Sequence, residues 1–109
     1  MRIETYGQQL ELTPALNEYV ETKLKRLGKH FDQHCEIRVQ LSIRKPDHHA
    51  DASVNVPGQT LHADASGPTM YAAIDILADK LDRLVIKHKE KKQQHAPLPL
   101  PLPVGDNEG

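Results

Sequence analysis

Tryptophan is absent from the 109 residues and phenylalanine occurs once, so any core must be aliphatic. Cysteine also occurs once, as Cys35, which excludes an intramolecular disulfide and every cysteine-based zinc framework. No apolar run approaches the ~20 residues that a membrane-spanning helix needs. The opening Met1-Arg2-Ile3-Glu4-Thr5-Tyr6 lacks the apolar stretch of a secretory signal, so a reducing cytosol is the expected home. The length leaves room for one domain of ordinary size. A chain of this length buries roughly two thirds of its unfolded surface, enough for one core without staples.

Charge is balanced overall and unbalanced locally. Fourteen basic and fifteen acidic residues give a net charge of −1, which argues against a generic nucleic-acid binder. Residues 80–92, however, hold Lys80, Arg83, Lys87, Lys89, Lys91 and Lys92 against Asp82 and Glu90, a segment of +4. The rest of the chain, with eight basic and thirteen acidic residues, sums to −5. Polarisation of this kind points to an anionic partner more directly than the total does.

Periodicity sets the order of elements. Residues 2–6 alternate and end at Gly7, a short first strand. Thr13-Pro14 supplies a hydroxyl cap and a proline at the first helical position. Leu16, Val20, Leu24 and Leu27 then share one helix face, with Gly28 as a terminal cap and Phe31 folding back on the stripe. Between 35 and 44, Cys35, Ile37, Val39, Leu41 and Ile43 alternate with Glu36, Arg38, Gln40, Ser42 and Arg44. One face is buried and one wet, as in an antiparallel sheet. Lys45-Pro46-Asp47 turns the chain into a third strand over 50–56, and Pro57-Gly58 leads into a fourth over 61–66. Thr69 caps a long helix from Met70 to about Lys92, with Ile74, Leu77, Leu81, Leu84 and Val85 on its apolar face. The order β-α-β-β-β-α predicts an α+β fold, a two-layer sandwich with both helices on one side of a four-stranded sheet. Folded residues are expected over 1–95. Residues 96–109, where proline alternates with leucine, read as an extended tail.

The cations of the second helix form the strongest constellation. Lys80, Arg83, Lys87 and Lys91 fall within an arc of about 80°, a rod of charge about 16 Å long. Such a rod spans several phosphates of an RNA backbone; it equally fits a solvated face that complements the helix dipole. Lys23 and Arg26 lie on one flank of the first helix, and packing both helices on one side could bring the two rows to a shared phosphate-binding cleft. The wet sheet face carries Arg38, Arg44 and His62 but lacks the interleaved aromatics of a base-stacking platform.

Other chemistry finds little support. His48, His49 and Asp51, with His62 or Asp64, match no known metal-ligand spacing. His88 reads as a cover over the core edge. No nucleophile elbow or phosphate-cradling glycine loop occurs, and Cys35 sits on a buried face, so neither catalysis nor a cofactor is expected. A different class of function would use the Pro-Leu tail as a docking segment for a partner's aromatic groove.

Met70-Tyr71-Ala72-Ala73-Ile74-Asp75, followed by Asp79-Lys80-Leu81, Arg83 and Lys87-His88-Lys89, resembles the second helix of bacterial ribosome hibernation promoting factors. That family is also called ribosome-associated translation inhibitors, or sigma-54 modulation proteins. Leu12-Thr13-Pro14-Ala15-Leu16, Tyr19-Val20, Lys23-Leu24, Leu27 and Phe31 are similar to the family in order. So are Asp51-Ala52 with Val54 and Val56, and Leu61-His62-Ala63 before Gly67. The likeness covers residues 1–95 and is to the short form, which lacks a C-terminal dimerisation domain. Thr69 departs from it, standing where an acidic residue often precedes the Met-Tyr pair; the Pro-Leu tail is not a family feature.

The resemblance implies a double-stranded-RNA-binding-domain-like sandwich and a role without chemistry. The family sits on the small ribosomal subunit between head and body, over the messenger and transfer RNA sites, and inhibits translation during slow growth and stationary phase. The implied partners are that subunit with its 16S rRNA, and the ribosome modulation factor in inactive ribosome dimers. A monomer is expected away from the ribosome, with no membrane. Carried onto this chain, the RNA-contacting positions are Lys23, Arg26, Lys80, Arg83, Lys87, Lys89 and Lys91. Arg44 and Lys45, at the turn after the second strand, join them.

Overall fold

Alternating apolar residues build four strands: β1 (Arg2–Gly7), β2 (Glu36–Arg44), β3 (Asp47–Val56) and β4 (Gln59–Gly67). They lie in one sheet, in the order β1-β2-β3-β4. The structure is a computed structural model and describes residues 2–30, 35–56 and 58–94. β2, β3 and β4 make an antiparallel meander, as the alternation predicts. β1 differs: it runs parallel to β2, with Ile3 opposite Ile37 and Gly7 opposite Leu41. Parallel neighbours need a crossover, and the first helix supplies it. The hairpin between β2 and β3 is tighter than expected, because β3 begins at Asp47 and only Lys45 and Pro46, joined by a cis peptide bond, remain in the loop.

Helix α1 (Pro14–Leu24) starts as its sequence dictates: the Thr13 hydroxyl accepts the Leu16 N–H at 3.2 Å. It stops earlier than expected. Lys25–His30 tightens into a 3₁₀ segment that runs through Gly28, so that glycine is not a helix cap. Leu24 and Leu27, three apart, suit three residues per turn, and both remain fully buried. Phe31, expected to fold back on the stripe, lies outside the described residues.

Helix α2 (Met70–Gln94) is capped by Thr69, whose hydroxyl accepts the Ala72 N–H at 3.1 Å. Ile74, Leu77, Leu81 and Val85 sink completely into the core, and Leu84 lies half-buried beside them. They pack over β3 and β4, where Ala50, Ala52 and Ala65 leave room for large helix side chains. The approach is closest at Gly67, where a Cβ would meet the Ala72 Cβ and the Ala73 nitrogen, each at 3.0 Å. At ~1.5 Å per residue α2 outruns the strands, and its last turns project past the β3–β4 turn. His88 marks the crossing: its Nδ1 lies 2.7 Å from Nε2 of Gln59 at the start of β4.

Three strand positions break the alternation. Ile43, by parity on the helix-facing side, is 47% exposed near the end of β2. Ser42, by parity on the wet side, is buried together with His49 directly opposite on β3, and each shields the other.

Candidate nucleic-acid interface

Both helices leave the sheet at the β2–β3 hairpin end and run in the same direction across one face. Their facing flanks carry two pairs at helical i, i+4 spacing, Tyr19 with Lys23 and Tyr71 with Asp75. The tyrosine rings meet edge to face with centroids 4.8 Å apart. The Tyr19 hydroxyl donates to the Asp75 carboxylate at 2.7 Å, and this hydrogen bond pushes the Tyr19 pKa up. Lys23 Nζ stands 3.4 Å from the same carboxylate and 5.4 Å from the Tyr19 ring centroid. The seam between the helices is therefore closed by aromatic packing and centred on an acid.

Helical phase sends the other cations elsewhere. Lys80 is five residues beyond Asp75, about 140° around α2. Its Nζ donates to the Asp64 carbonyl of β4 at 2.8 Å, on the flank away from α1. Lys87 shares that flank. Arg83 lies nearer the crest, with Nη2 3.1 Å from Asp79 one turn back. Lys89 returns to the seam side, within about 40° of the Asp75 direction. The single cleft lined by both cationic rows is thus not formed. The rows occupy separate flanks of the helical layer because the arc that holds Lys80 and Lys87 faces β4, not α1. Arg44 and Lys45 sit apart from both, at the hairpin end opposite Lys87 and Lys89. The side chain of Lys91 lies outside the described residues.

These positions also differ in availability. Lys23, Lys80 and Arg83 have the partners just named. Arg26, Arg44, Lys45, Lys87 and Lys89 are exposed and make no ion pair or hydrogen bond among the described residues. Exposed ion pairs contribute only about 0–1 kcal/mol, so an incoming phosphate can take Lys23 or Arg83 from its carboxylate at little cost.

Residues 3–93 match the family model described as Sigma 54 modulation protein / S30EA ribosomal protein. The chain belongs to that family. Among its S30EA relatives, a ribosome hibernation promoting factor of Azotobacter vinelandii is 46% identical over 92 residues, covering 84% of this chain and 86% of the relative. A protein of the same name from Escherichia coli strain K12 is 43% identical over 95 residues, 87% of this chain and all of the relative. Solved structures agree. The N-terminal domain of Thermus thermophilus Protein Y superposes with a TM-score of 0.76 at 34% identity, covering 81% of this chain and 99% of that one. A ribosomal subunit interface protein from Coxiella burnetii gives 0.72 at 35% identity, with 83% and 99% coverage. The four-stranded sheet with two helices is thus the S30EA arrangement, and all nine candidate cations fall inside the matched stretch.

The open face of this S30EA sheet is mixed in charge. Glu4 receives the Tyr6 hydroxyl at 2.8 Å and stands 2.6 Å from Arg2 and 3.7 Å from Arg38. That hydrogen bond, with the two guanidinium groups, holds its carboxyl below the usual range. Further across, a shallow cavity of about 570 Å³ is lined by Arg44, His49, Asp51, His62 and Asp64 among others. His49 Nδ1 is 3.0 Å from the Ser66 hydroxyl, and its Nε2 stands 3.9 Å from Asp51 and 4.0 Å from Asp64. No three such donors are close enough to hold a metal ion among the described residues. Cys35 is buried, and desolvation pushes its thiol pKa up, the opposite of what a nucleophile needs. No helix among the described residues is long and apolar enough to cross a membrane.

Sequence reasoning places Asp75, Asp79 and Asp82 on one flank of the second helix but misses their pairing with Lys23 and Arg83, and it misses the burial of His49. The paired i, i+4 spacings, Tyr19 with Lys23 and Tyr71 with Asp75, were the available signal for the seam. Nothing in the pattern marked His49, which alternates like an ordinary wet-face residue.

Proposed function

We propose that this chain binds the small ribosomal subunit and holds the ribosome idle, with the helical layer laid against 16S rRNA at the messenger and transfer RNA channel. Lys87 and Lys89, exposed and without an ion pair or hydrogen bond among the described residues, carry the reading, because residues 80–92 hold a charge of +4 while the rest of the chain sums to −5. Arg26, equally free among the described residues, joins them from the first helical segment. The names of the relatives, ribosome hibernation promoting factor and ribosomal subunit interface protein, support the ribosome as the polyanion. Inhibition is by volume: a rigid sandwich over the channel excludes transfer and messenger RNA, and no bond is made or broken. Inactive ribosome dimers, with the ribosome modulation factor as co-partner, are the expected product, and the cytoplasm is the place of action. Recognition of backbone and shape dominates, with little base specificity.

Residues 1–95 do this work in the proposal, and the Pro-Leu tail does not; the family match ends at residue 93. Deleting residues 96–109 should therefore leave co-sedimentation with small subunits unchanged at low salt, and high salt should strip the chain off. Co-sedimentation lost with the tail would transfer the function to a docking segment.

A further inference from the structure

The helical layer is banded rather than uniformly basic. Lys23 and Arg26 stand on the α1 side, joined two turns beyond Asp82 by Lys89; Asp75, Asp79 and Asp82 follow along the seam side and crest of α2, and Arg83, Lys87 and Lys80 continue towards β4. Each acid has a contact: Asp75 meets Lys23 and the Tyr19 hydroxyl, Asp79 meets Arg83, and Asp82 is likewise partnered. A row of three carboxylates beside phosphate-binding cations is costly if their only purpose is affinity, because each repels the ligand that the cations attract.

We infer that this acidic row is a specificity device: it makes the helical layer fit folded RNA, with one phosphate backbone on each side of α2, and rejects a lone strand. The inference rests on the RNA-binding reading above. A single strand crossing the layer must bring its phosphates over Asp75 and Asp79. A two-stranded groove need not, since its backbones run along its rims and its floor carries base edges and 2′-hydroxyls that can face carboxylates as donors. Lys23 and Lys80 lie on opposite flanks of α2, so the cations meet a ligand as two rails, as the two backbones beside the wide, shallow groove of an A-form helix require. Asp75 and Asp79 thereby act through what they exclude. This is discrimination by repulsion of the wrong partner.

The test measures binding of the whole chain, by fluorescence anisotropy at one fixed salt concentration, to an RNA hairpin and to an unstructured single strand of equal length. Asp79→Asn, at an exposed position outside the packing, and Asp75→Asn/Asp79→Asn, which keeps an acceptor for Tyr19, are compared with the parent. Thermal melting checks that both variants fold. The parent should prefer the hairpin. The double variant should gain about tenfold for the single strand and much less for the hairpin, with Asp79→Asn intermediate. An equal gain for both RNAs, or none for the single strand, would overturn the inference while leaving the RNA reading intact. Failure of the parent to bind either RNA would overturn both.

Discussion

Reversing Lys80, Arg83 and Lys87 together to Glu should lower affinity for small ribosomal subunits by at least about a hundredfold, removing the chain from the subunit fraction of a gradient. The three side chains share the crest and the β4 flank of α2, all exposed, so reversal removes three phosphate contacts and adds three repulsions without touching the core. Lys80 also gives up its hydrogen bond to the Asp64 carbonyl, but that oxygen lies on a free sheet edge where water can replace the ammonium. The melting temperature should therefore move little. Binding that survives the triple reversal would remove α2 from the interface.

The second large effect lies in stability. Leu81 is fully buried where α2 crosses the sheet, packed into the same core as Leu24, Leu77 and Val54. Leu81→Ala should cost about 2–5 kcal/mol, since the cavity it leaves is walled by strands and cannot collapse. In a domain of this size the melting temperature falls by roughly 4–8 °C for each kcal/mol, so a drop of about 10 °C or more is expected in a thermal melt. A shift of only a few degrees would mean that α2 is held by something other than its apolar stripe. The two variants separate the faces of one helix: Leu81→Ala weakens the fold and spares the cations, whereas the triple reversal does the opposite.

Much of this architecture is legible in the residues, for physical reasons. Alternation of period two in β2 and the apolar stripe of α2 each report a single buried face, and Thr13 and Thr69 announce helix starts by the hydrogen bonds they accept. The parallel pairing of β1 is missed, because β1 repeats the alternation that marks the antiparallel strands, and its direction follows instead from the crossover that α1 makes to β2. The early end of α1 escapes as well: leucines three apart suit an α-helix and a 3₁₀ segment equally. For the candidate interface, the phase of Lys80, Arg83 and Lys87 around α2 is readable from spacing. What spacing cannot say is which flank meets α1. That is decided by the tertiary meeting of Tyr19 and Tyr71, and it turns a supposed common cleft into two bands with acids between them.

Lys87 and Lys89 are exposed and have no partner among the described residues, whereas Lys23 is shared between Asp75 and a ring face. Affinity should accordingly depend more on the far end of α2 than on α1, although both lie on one layer.

Binding of the intact chain to isolated small subunits across a salt series tests the central claim most directly. Counterion release predicts a straight fall of log K against log salt, and replacing Lys87 or Lys89 by Ala should flatten that slope by about one unit each. An affinity indifferent to salt, or slopes identical in the parent and both variants, would contradict docking through the cations of the helical layer.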